Sequence, residues 1–382
     1  MKYKLSDLFE LQMGKTPSRD NTEYWSQPEY PWVSIADLSG AGKYIYATKE
    51  SISRLAIEES GIKTIPANTV IMSFKLSIGK VSITPIPMYS NEAIMAFIDK
   101  GITTIKPEYL YYLLLHRDWD EGTNKAVMGK TLNKATLSDV VIDVHSIEDQ
   151  DRIVAVLDKV SDIIERYQKQ LNTLDILVKA RFVEMFGDPV VNEKSWTTVA
   201  LSDACYGIGD GLHGTPEYDD KGKYPFINGN NLIDGSINIT SATKMVNEMT
   251  YTKHFIELTD NTILISINGT LGKMAFYKGE KVMLGKSVCY CNLKPTINRD
   301  FAYGVMKSDA FTEFLEKSST KSTIKNVGLK AMREFQLIIP PHDLQLQFVK
   351  YAKQVDKSKV VVQGALDEAR LLFDSLMQKY FG

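Results

Sequence analysis

Cysteine is scarce in this chain, which has three thiols (Cys205, Cys289 and Cys291) among 382 residues. Three cysteines are too few for a disulfide framework, so we expect the protein to work in a reducing compartment. Long apolar runs are missing too, since no stretch reaches the ~18 residues that cross a bilayer. The first residues, MKYKLSDLFELQMGK, contain no apolar core of a secretion signal. We therefore expect a cytoplasmic protein with no membrane partner.

An excess of charge of either sign is also missing, because 45 basic and 47 acidic side chains leave a formal net charge of -2. This balance excludes a protein that coats nucleic acid indiscriminately through a strongly basic surface. It leaves site-specific DNA binding open, because the local distribution of charge matters more than the sum. If the chain binds DNA tightly, we expect a partner subunit to neutralise much of the phosphate charge.

The sequence lacks recognisable catalytic motifs. Gly209, Gly211 and Gly214 match a dinucleotide-binding string, but no buried strand precedes them and no helix can follow, so we predict a flexible loop. Cys289 and Cys291 supply only half of a zinc site and are expected to pack within a sheet. The five histidines have no metal-binding spacing, and no nucleophile elbow or kinase motif occurs. The sequence therefore predicts no catalytic residue and no bound metal.

An internal repeat is the strongest feature that the sequence does contain. The stretch NTVIMSFKLSIGKVSI at 68–83 aligns without a gap with NTILISINGTLGKMAF at 261–276, which lies 193 positions later. Two shorter matches accompany it: LSDLF at 5–9 with LSDAC at 201–205, and YPWVSIADL at 30–38 with YPFINGNNL at 224–232. Self-similarity at a fixed period indicates two related globular domains.

Each half of the chain ends in a long helical pattern. Residues 146–187 and 341–382 align at a constant offset of 195, and both end in Phe-Gly. Apolar side chains recur there at alternating spacings of 4 and 3 residues, as in the seam of a coiled coil. In the second segment, Lys359 interrupts this apolar pattern. Because the first helix leads into the second domain and the second helix leads back, we expect an antiparallel pair. An oligomerisation coiled coil is the alternative, although the repeat already supplies a partner within the chain.

Within the domains, short β-rich runs such as NTVIMSF alternate with helical pieces such as PEYLYYLLLHRDW. This mixture lacks the regular strand–helix alternation of a parallel sheet and predicts an α+β fold. We therefore expect four segments: a first domain at 1–143, a long helix at 144–187, a second domain at 188–340 and a second long helix at 341–382.

Three elements together resemble the specificity subunit of type I restriction–modification systems. They are the repeated N-T-[VI]-x-x-S hairpin with its Gly-Lys, the EDQDRIVAVLDKVSDII helix and the KARFVEMFGDP segment that ends it. The resemblance extends over nearly the whole chain. The segment VHSIEDQ departs from it, because the family usually has two prolines before this helix. The resemblance implies two target-recognition domains, each of which binds one half of a split double-stranded DNA sequence.

The same resemblance implies the partners of the chain. The two helices would hold the domains apart and dock two methyltransferase (M) subunits, and restriction or motor (R) subunits would join the complex. S-adenosylmethionine, ATP and Mg are then expected on those partner subunits. The chain itself would be non-catalytic and would hold no cofactor.

The repeated hairpins supply the first candidate DNA contacts. Lys80 and Lys273 each follow a glycine that permits close backbone approach, so we expect them to meet phosphates. The simpler interpretation is a plain turn with a solvated lysine. Lys75 aligns with Asn268, and these side chains suit guanine and adenine respectively, although Asn-Gly is also a favourable turn. Further candidates lie in polar loops of both halves: Lys15, Thr16, Lys130, Asn133, His213, Thr215, Asn230 and Lys325.

Two other functions stay open at this point. The chain could be the recognition subunit of a two-subunit enzyme whose other chain both cuts and methylates; a neighbouring gene for a separate motor would argue against this. It could also be a coiled-coil scaffold whose repeated domains bind protein. Loss of duplex binding by the assembly, with both partner subunits present, would favour the scaffold.

Overall fold

A computed structural model describes residues 1–26, 29–75, 77–119, 124–126 and 129–382, with the backbone alone for 124–126 and 129–131. The chain forms two compact units. The first comprises Met1–Gln168 with Gly364–Gly382, and the second comprises Lys169–Gln363. None of the helices in this described part of the chain combines the length and the hydrophobicity that a bilayer span needs.

The first unit combines short helices with small sheets. Its elements are β1 (Lys2–Lys4), α1 (Leu5–Leu8), β2 (Phe9–Met13), α2 (Glu23–Ser26), β3 (Tyr30–Val33), α3 (Ile35–Gly40), β4 (Glu50–Ile52), α4 (Arg54–Ser60), β5 (Thr69–Ser73), β6 (Val81–Thr84), β7 (Tyr89–Ser90), β8 (Ile94–Asp99), α5 (Pro107–His116), β9 (Asn124–Ala126), β10 (Gly129–Thr131), α6 (Lys134–Ser138), β11 (Val141–Asp143) and the long helix α7 (Ile147–Phe186).

A four-stranded antiparallel sheet in the order β2-β8-β5-β6 forms the centre of this unit. Val70 and Met72 of β5 pack into one core with Tyr109 of α5. Ile71 faces the opposite way and packs with Val33. Because the centre of the sheet is buried on both faces, β5 and most of β8 are continuous apolar runs, whereas β2 at the edge alternates between buried and more exposed residues.

Three smaller sheets belong to the described part of the first unit, and one of them is the antiparallel pair β9–β10. Strands β4, β3 and β7 form a three-stranded sheet in which β3 and β7 run parallel. Strand β1 pairs with β11, so the start of the first domain is joined to its end.

The second unit repeats this construction. Its elements are β12 (Thr197–Ala200), α8 (Leu201–Ala204), β13 (Cys205–Asp210), β14 (Tyr224–Ile227), β15 (Leu232–Ile233), β16 (Ser236–Ile237), β17 (Met245–Val246), α9 (Glu248–Lys253), β18 (Thr262–Ser266), β19 (Met274–Phe276), β20 (Met283–Leu284), β21 (Val288–Leu293), α10 (Arg299–Met306), α11 (Asp309–Ser318), α12 (Leu329–Glu334), β22 (Gln336–Ile339) and the long helix α13 (His342–Phe381), with a 3-10 turn at Gly229–Asn231.

The strand orders of the second unit correspond to those of the first. The four-stranded sheet is β13-β21-β18-β19, the three-stranded sheet is β17-β14-β20 with a parallel β14–β20 pair, and β12 pairs with β22. The repeat that the sequence predicts therefore extends to topology. The predicted α+β class is confirmed.

Each long helix contains 40 residues. Ser146 and Asp149 cap the start of α7, because the Ser146 hydroxyl accepts the backbone N–H of Asp149 at 3.2 Å and donates to its carboxylate at 2.9 Å. Gly187 ends α7 with a φ of +74°, a conformation that favours glycine.

The apolar seam is the buried face of both helices. In the first unit, Ile153 and Leu157 of α7 share a core with Met377 near the end of α13. In the second unit, the ring of Phe182 near the end of α7 lies 5.4 Å from that of Phe348 near the start of α13. In both units the start of one long helix packs beside the end of the other, so the helices pair antiparallel within each unit.

A buried glutamine fixes the start of each long helix to its domain. Gln150 accepts the backbone N–H of Lys106, at the N-terminus of α5, at 2.9 Å. Gln345, 195 positions later, accepts the backbone N–H of Asn298, at the N-terminus of α10, at 3.3 Å. Both side chains are about 1% exposed, so each amide satisfies a helix end that water does not reach.

Candidate nucleic-acid interface

In the first unit, five loops meet at one end of the four-stranded sheet. They comprise residues 14–18, 33–37, 74–80, 90–93 and 132–133, of which Leu76 lies outside the described residues. Four backbone hydrogen bonds join them: Lys15 N–H to Ser90 O (2.8 Å), Asn91 N–H to Val33 O (3.1 Å), Phe74 N–H to Ala93 O (3.0 Å) and Leu132 N–H to Phe74 O (3.1 Å). We call this set of loops the first loop edge.

The second unit has the equivalent set, which we call the second loop edge. It comprises residues 211–216, 227–231, 267–273, 284–287 and 319–328. Its four corresponding bonds are Leu212 N–H to Leu284 O (2.8 Å), Gly285 N–H to Ile227 O (2.8 Å), Ile267 N–H to Ser287 O (2.9 Å) and Val327 N–H to Ile267 O (2.8 Å). Main-chain hydrogen bonds hold these loops together in both units. The side chains therefore differ between the two edges while the arrangement of the loops is the same.

A glycine occupies the closest approach of backbone in each edge. A Cβ on Gly14 would lie 2.3 Å from the carbonyl oxygens of Ser90 and Asn91, and one on Gly211 would lie 2.0 Å from that of Leu284. No side chain fits either position. The prediction of a flexible loop around Gly209 and Gly211 is wrong, because Gly209 belongs to β13 and Gly211 is packed against the neighbouring main chain.

The repeated hairpin is held by one serine in each copy. The Ser73 hydroxyl donates to the carbonyl of Ser77 and accepts the N–H of Lys80 at 3.0 Å. The Ser266 hydroxyl makes the same two bonds, to Thr270 and from Lys273 at 3.0 Å. The shared sequence of the hairpin therefore encodes one turn geometry.

The glycines and lysines of the hairpins have separate surroundings. Gly79 and Gly272 have φ values of +82° and +78°, so both need glycine. Lys80 is exposed, as a phosphate contact requires. Lys273 is half-buried and lines a cavity of about 720 Å³ in the second unit, which Tyr303 also lines.

Three predicted residues of the first loop edge have side-chain contacts in the structure. Thr16 donates its hydroxyl to the carboxylate of Glu92, and the Lys75 ammonium lies 5.2 Å from the centre of the Phe74 ring. Lys15 is exposed and donates to the carbonyl of Ser60 at 2.5 Å.

The remaining predictions in the first unit concern Lys130 and Asn133. The side chain of Lys130 lies outside the described residues, although its backbone belongs to β10. Asn133 is the last residue of the first loop edge and caps α6, because its side-chain oxygen accepts the N–H of Thr136 at 2.8 Å. This cap is a structural role that the polar loop composition did not indicate.

Three predicted residues of the second loop edge are exposed. His213 Nε2 lies 2.7 Å from the carboxylate of Asp210, which orients the ring. Thr215 follows in the same loop, and Asn230 lies in the 3-10 turn on the neighbouring loop. These side chains thus come from two loops that meet at Leu212, Leu284 and Ile227.

Asn268 and Lys325 lie on the other side of the second loop edge. The Asn268 amide donates to the side-chain oxygen of Asn326 at 3.1 Å and is half-buried. The carbonyl of Lys325 accepts the N–H of Gly269 at 2.9 Å, while its side chain is exposed.

Sequence reasoning missed two charged residues at the loop edges, Glu92 and Lys286. The hydroxyl of Thr16 and the ammonium of Lys75 lower the pKa of the Glu92 carboxyl, so it stays ionised near neutral pH. Lys286 is exposed, and its N–H donates to the carbonyl of Leu212 at 3.0 Å. The signal that could have found them is their aligned position, 194 residues apart, with opposite charge.

The cysteines are confirmed as packing residues. Cys205, Cys289 and Cys291 belong to the core of the second unit. Hydrogen bonding with Cys205 and Cys289, together with burial, raises the pKa of the Cys291 thiol, which therefore stays protonated. Within the described ranges, no group of three His, Cys, Asp or Glu side chains is arranged to hold a metal ion.

Comparison with known proteins gives one family. The model of the type I restriction modification DNA specificity domain matches residues 1–175 and again residues 193–367. The MjaIX specificity subunit of Methanocaldococcus jannaschii is 29% identical over 254 residues, which are 61% of this chain and 58% of that protein. The HindI specificity subunit of Haemophilus influenzae is 28% identical over 188 residues, 47% of this chain and 40% of that protein. The chain thus matches less than two thirds of the length of these relatives.

Solved structures share the fold. The S subunit of a type I restriction–modification system from M. genitalium superposes with a TM-score of 0.56 at 15% identity, over 100% of this chain and 96% of that one. A chain from a structural study of complex assembly in the type I system gives 0.59 at 16% identity, over 100% and 97%.

Proposed function

Because the chain belongs to the type I restriction modification DNA specificity family, we propose that it selects the DNA sequence on which a restriction–modification complex acts. The target is a bipartite double-stranded sequence, and each loop edge reads one half of it in the major groove. Candidate base and phosphate contacts are polar side chains of the two edges, including the half-buried Lys75 and the exposed Lys15, His213 and Asn230.

One observation carries this proposal: the two loop edges have the same main-chain construction and different side chains. Four equivalent backbone hydrogen bonds set each edge. Yet Lys75 of the first edge corresponds to Asn268 of the second, and Glu92 corresponds to Lys286. Two modules that read different half-sites need a common scaffold and distinct reading residues.

The chemistry belongs to partner subunits in this proposal. The chain itself is non-catalytic and holds no cofactor, while methyltransferase subunits carry S-adenosylmethionine and restriction subunits use ATP and Mg. Its formal net charge of -2 supports this division, because partners then supply part of the phosphate neutralisation. The complex works on DNA in the cytoplasm.

The long helices carry a feature that suits two copies of one partner. Ile176 and Leu177 on α7 are 63% and 44% exposed, and Leu371 and Leu372 on α13, 195 positions later, are 71% and 52% exposed. Neighbouring exposed apolar side chains at equivalent positions of both helices are candidates for protein contacts. We therefore assign one methyltransferase subunit to each pair. Replacing both Leu371 and Leu372 by Asp should leave a complex with a single methyltransferase, which mass measurement of the intact assembly would detect.

A segment exchange tests the proposed function directly. Residues 1–143 are replaced by the corresponding segment of a relative, and the methylated motif of the host genome is sequenced. One half of the motif should change while the other half stays. A change in both halves together, or methylation without sequence preference by the unmodified complex, would overturn the proposal.

A further inference from the structure

One turn is repeated at the loop edges with the same main-chain bonds. Residues 91–94 and 285–288 each form it: the N–H of Ile94 donates to Asn91 O at 3.2 Å, and that of Val288 donates to Gly285 O at 3.0 Å. The first residue of each turn also donates to the last residue of β3 or β14, and the third accepts from the hairpin after β5 or β18. Glu92 and Lys286 therefore occupy equivalent places, as the second residue of each turn.

These two residues carry opposite charges. Both side chains are exposed, and the loops around them hold the predicted DNA contacts of each edge. A carboxylate on a surface that approaches phosphates is electrostatically unfavourable, unless it accepts a hydrogen bond from a donor on the DNA. Bases supply such donors in the major groove, and phosphates do not.

The carboxylate of Glu92 is held in place before any ligand arrives. The Thr16 hydroxyl donates to its Oε2, and Lys75 is near enough to favour the ionised form. The turn beneath it is fixed by the side-chain oxygen of Asn91, which accepts the N–H of Ala93 at 3.1 Å. A carboxylate accepts up to about four hydrogen bonds, so the Thr16 contact leaves acceptor capacity for a base.

Resting on the proposed function, we infer that the second residue of this turn determines one base pair in each half-site. Glu92 accepts a hydrogen bond from the exocyclic amino group of a cytosine in the first half. Lys286 donates to the O6 and N7 acceptors of a guanine in the second half. These are the pairings that carboxylate and ammonium groups make in the major groove.

The test uses the complete complex with its methyltransferase partner. Glu92→Gln and Lys286→Gln remove the charges at exposed positions, where substitutions usually have little effect on folding. Glu10→Gln and Lys317→Gln are matched controls, because these residues are exposed, pair with Lys63 and Glu313 respectively, and are not part of either loop edge. The methylated motif is sequenced, and competition with duplexes that differ at one base pair gives the discrimination at each position.

Glu92→Gln should lower discrimination at a single C·G pair of the first half by about 5- to 150-fold, and leave the second half unchanged. Lys286→Gln should do the same at a guanine of the second half. Thr16→Val should give a smaller loss at the same position as Glu92→Gln, because it frees the carboxylate without removing it. The two control variants should keep the motif of the unmodified complex.

Two outcomes separate this inference from the proposed function. A Glu92→Gln complex that methylates the unaltered motif with unaltered discrimination would overturn the role of Glu92 and leave the proposed function standing. A Lys286→Gln complex that binds all duplexes equally less well, with a weaker salt dependence, would make Lys286 a phosphate contact and overturn its role as a base reader. An unmodified complex with no sequence preference would overturn the proposed function itself.

Discussion

Lys359 of α13 places its ammonium 2.5 Å from the carboxylate of Asp175 on α7, at the point where the apolar seam of the second helix is interrupted. The Lys359 side chain is 24% exposed and that of Asp175 is 60% exposed. A pair with one largely solvated partner contributes only about 0–1 kcal/mol. The seam therefore tolerates the lysine because its charge is compensated, and the pair adds little to stability.

Replacing this lysine with an apolar residue should strengthen the helix pair. Lys359→Leu restores the seam and buries apolar surface, so we expect the free energy of unfolding to rise by about 1 kcal/mol. Urea unfolding at constant slope measures this change. Asp175→Asn is the control and should change stability by less than about 1 kcal/mol. A large loss in either variant would mean that the ion pair, rather than the apolar seam, holds the helices together.

Two buried serines of the first unit should respond differently to the same substitution. Ser73 makes two hydrogen bonds in the hairpin, so Ser73→Ala should destabilise the unit by about 1–3 kcal/mol, since a buried N–H loses its acceptor. The Ser90 hydroxyl has no hydrogen-bond partner among the described residues, so Ser90→Ala should be neutral or stabilising. Thermal unfolding compares the two variants. Ser266→Ala should behave as Ser73→Ala, and equal effects at positions 73 and 90 would contradict the turn geometry.

Stability at alkaline pH should depend on Tyr109. Burial raises the pKa of this phenol to about 12, above the value near 10 in an unfolded chain. Folding thus favours the neutral phenol. The stability that this group contributes is complete below about pH 10 and is lost as the pH rises towards 12. Tyr109→Phe should be less stable at pH 8, because the hydrogen bond to the Asp143 carbonyl at 2.9 Å is lost.

The difference in unfolding free energy between the wild-type protein and Tyr109→Phe should then shrink between pH 10 and 12. Unfolding free energies measured across this range check the prediction. A constant difference would show that the phenol titrates as in water.

The lysines of the two hairpins should differ in their effect on DNA binding. Lys80 is exposed, so Lys80→Ala in the assembled complex should weaken binding to all duplexes and flatten the logarithmic salt dependence by about one unit. Lys273 is half-buried against a cavity, so Lys273→Ala should leave the salt dependence unchanged. Titrations at several salt concentrations decide this. Equal flattening by both variants would show that Lys273 also reaches a phosphate.

The sequence was sufficient for the large elements. The offset of 195 between the long helices and the 4 and 3 spacing of their apolar residues predicted two helices whose buried face is the seam. The repeated hairpin predicted two related domains. These patterns are local in the chain, since each helix or strand shows its own period.

The loop edges were beyond such reasoning, because they depend on hydrogen bonds between distant main-chain segments. Nothing local to Glu92 indicates that the N–H of Asn91 bonds to Val33, or that Thr16 holds its carboxylate. Gln150 was missed for a similar reason, since its partner Lys106 lies 44 positions away. A side chain whose partner is distant in the chain belongs to no sequence periodicity that would reveal its role.

Gly14 and Gly211 have a consequence for protein engineering. They bring neighbouring main chains so close that main-chain contacts position these loops. A combinatorial library that randomises positions 75, 92, 268 and 286, and keeps both glycines, should therefore yield mostly folded proteins. Selection from such a library would sample new recognition sequences one half at a time, at little cost in stability.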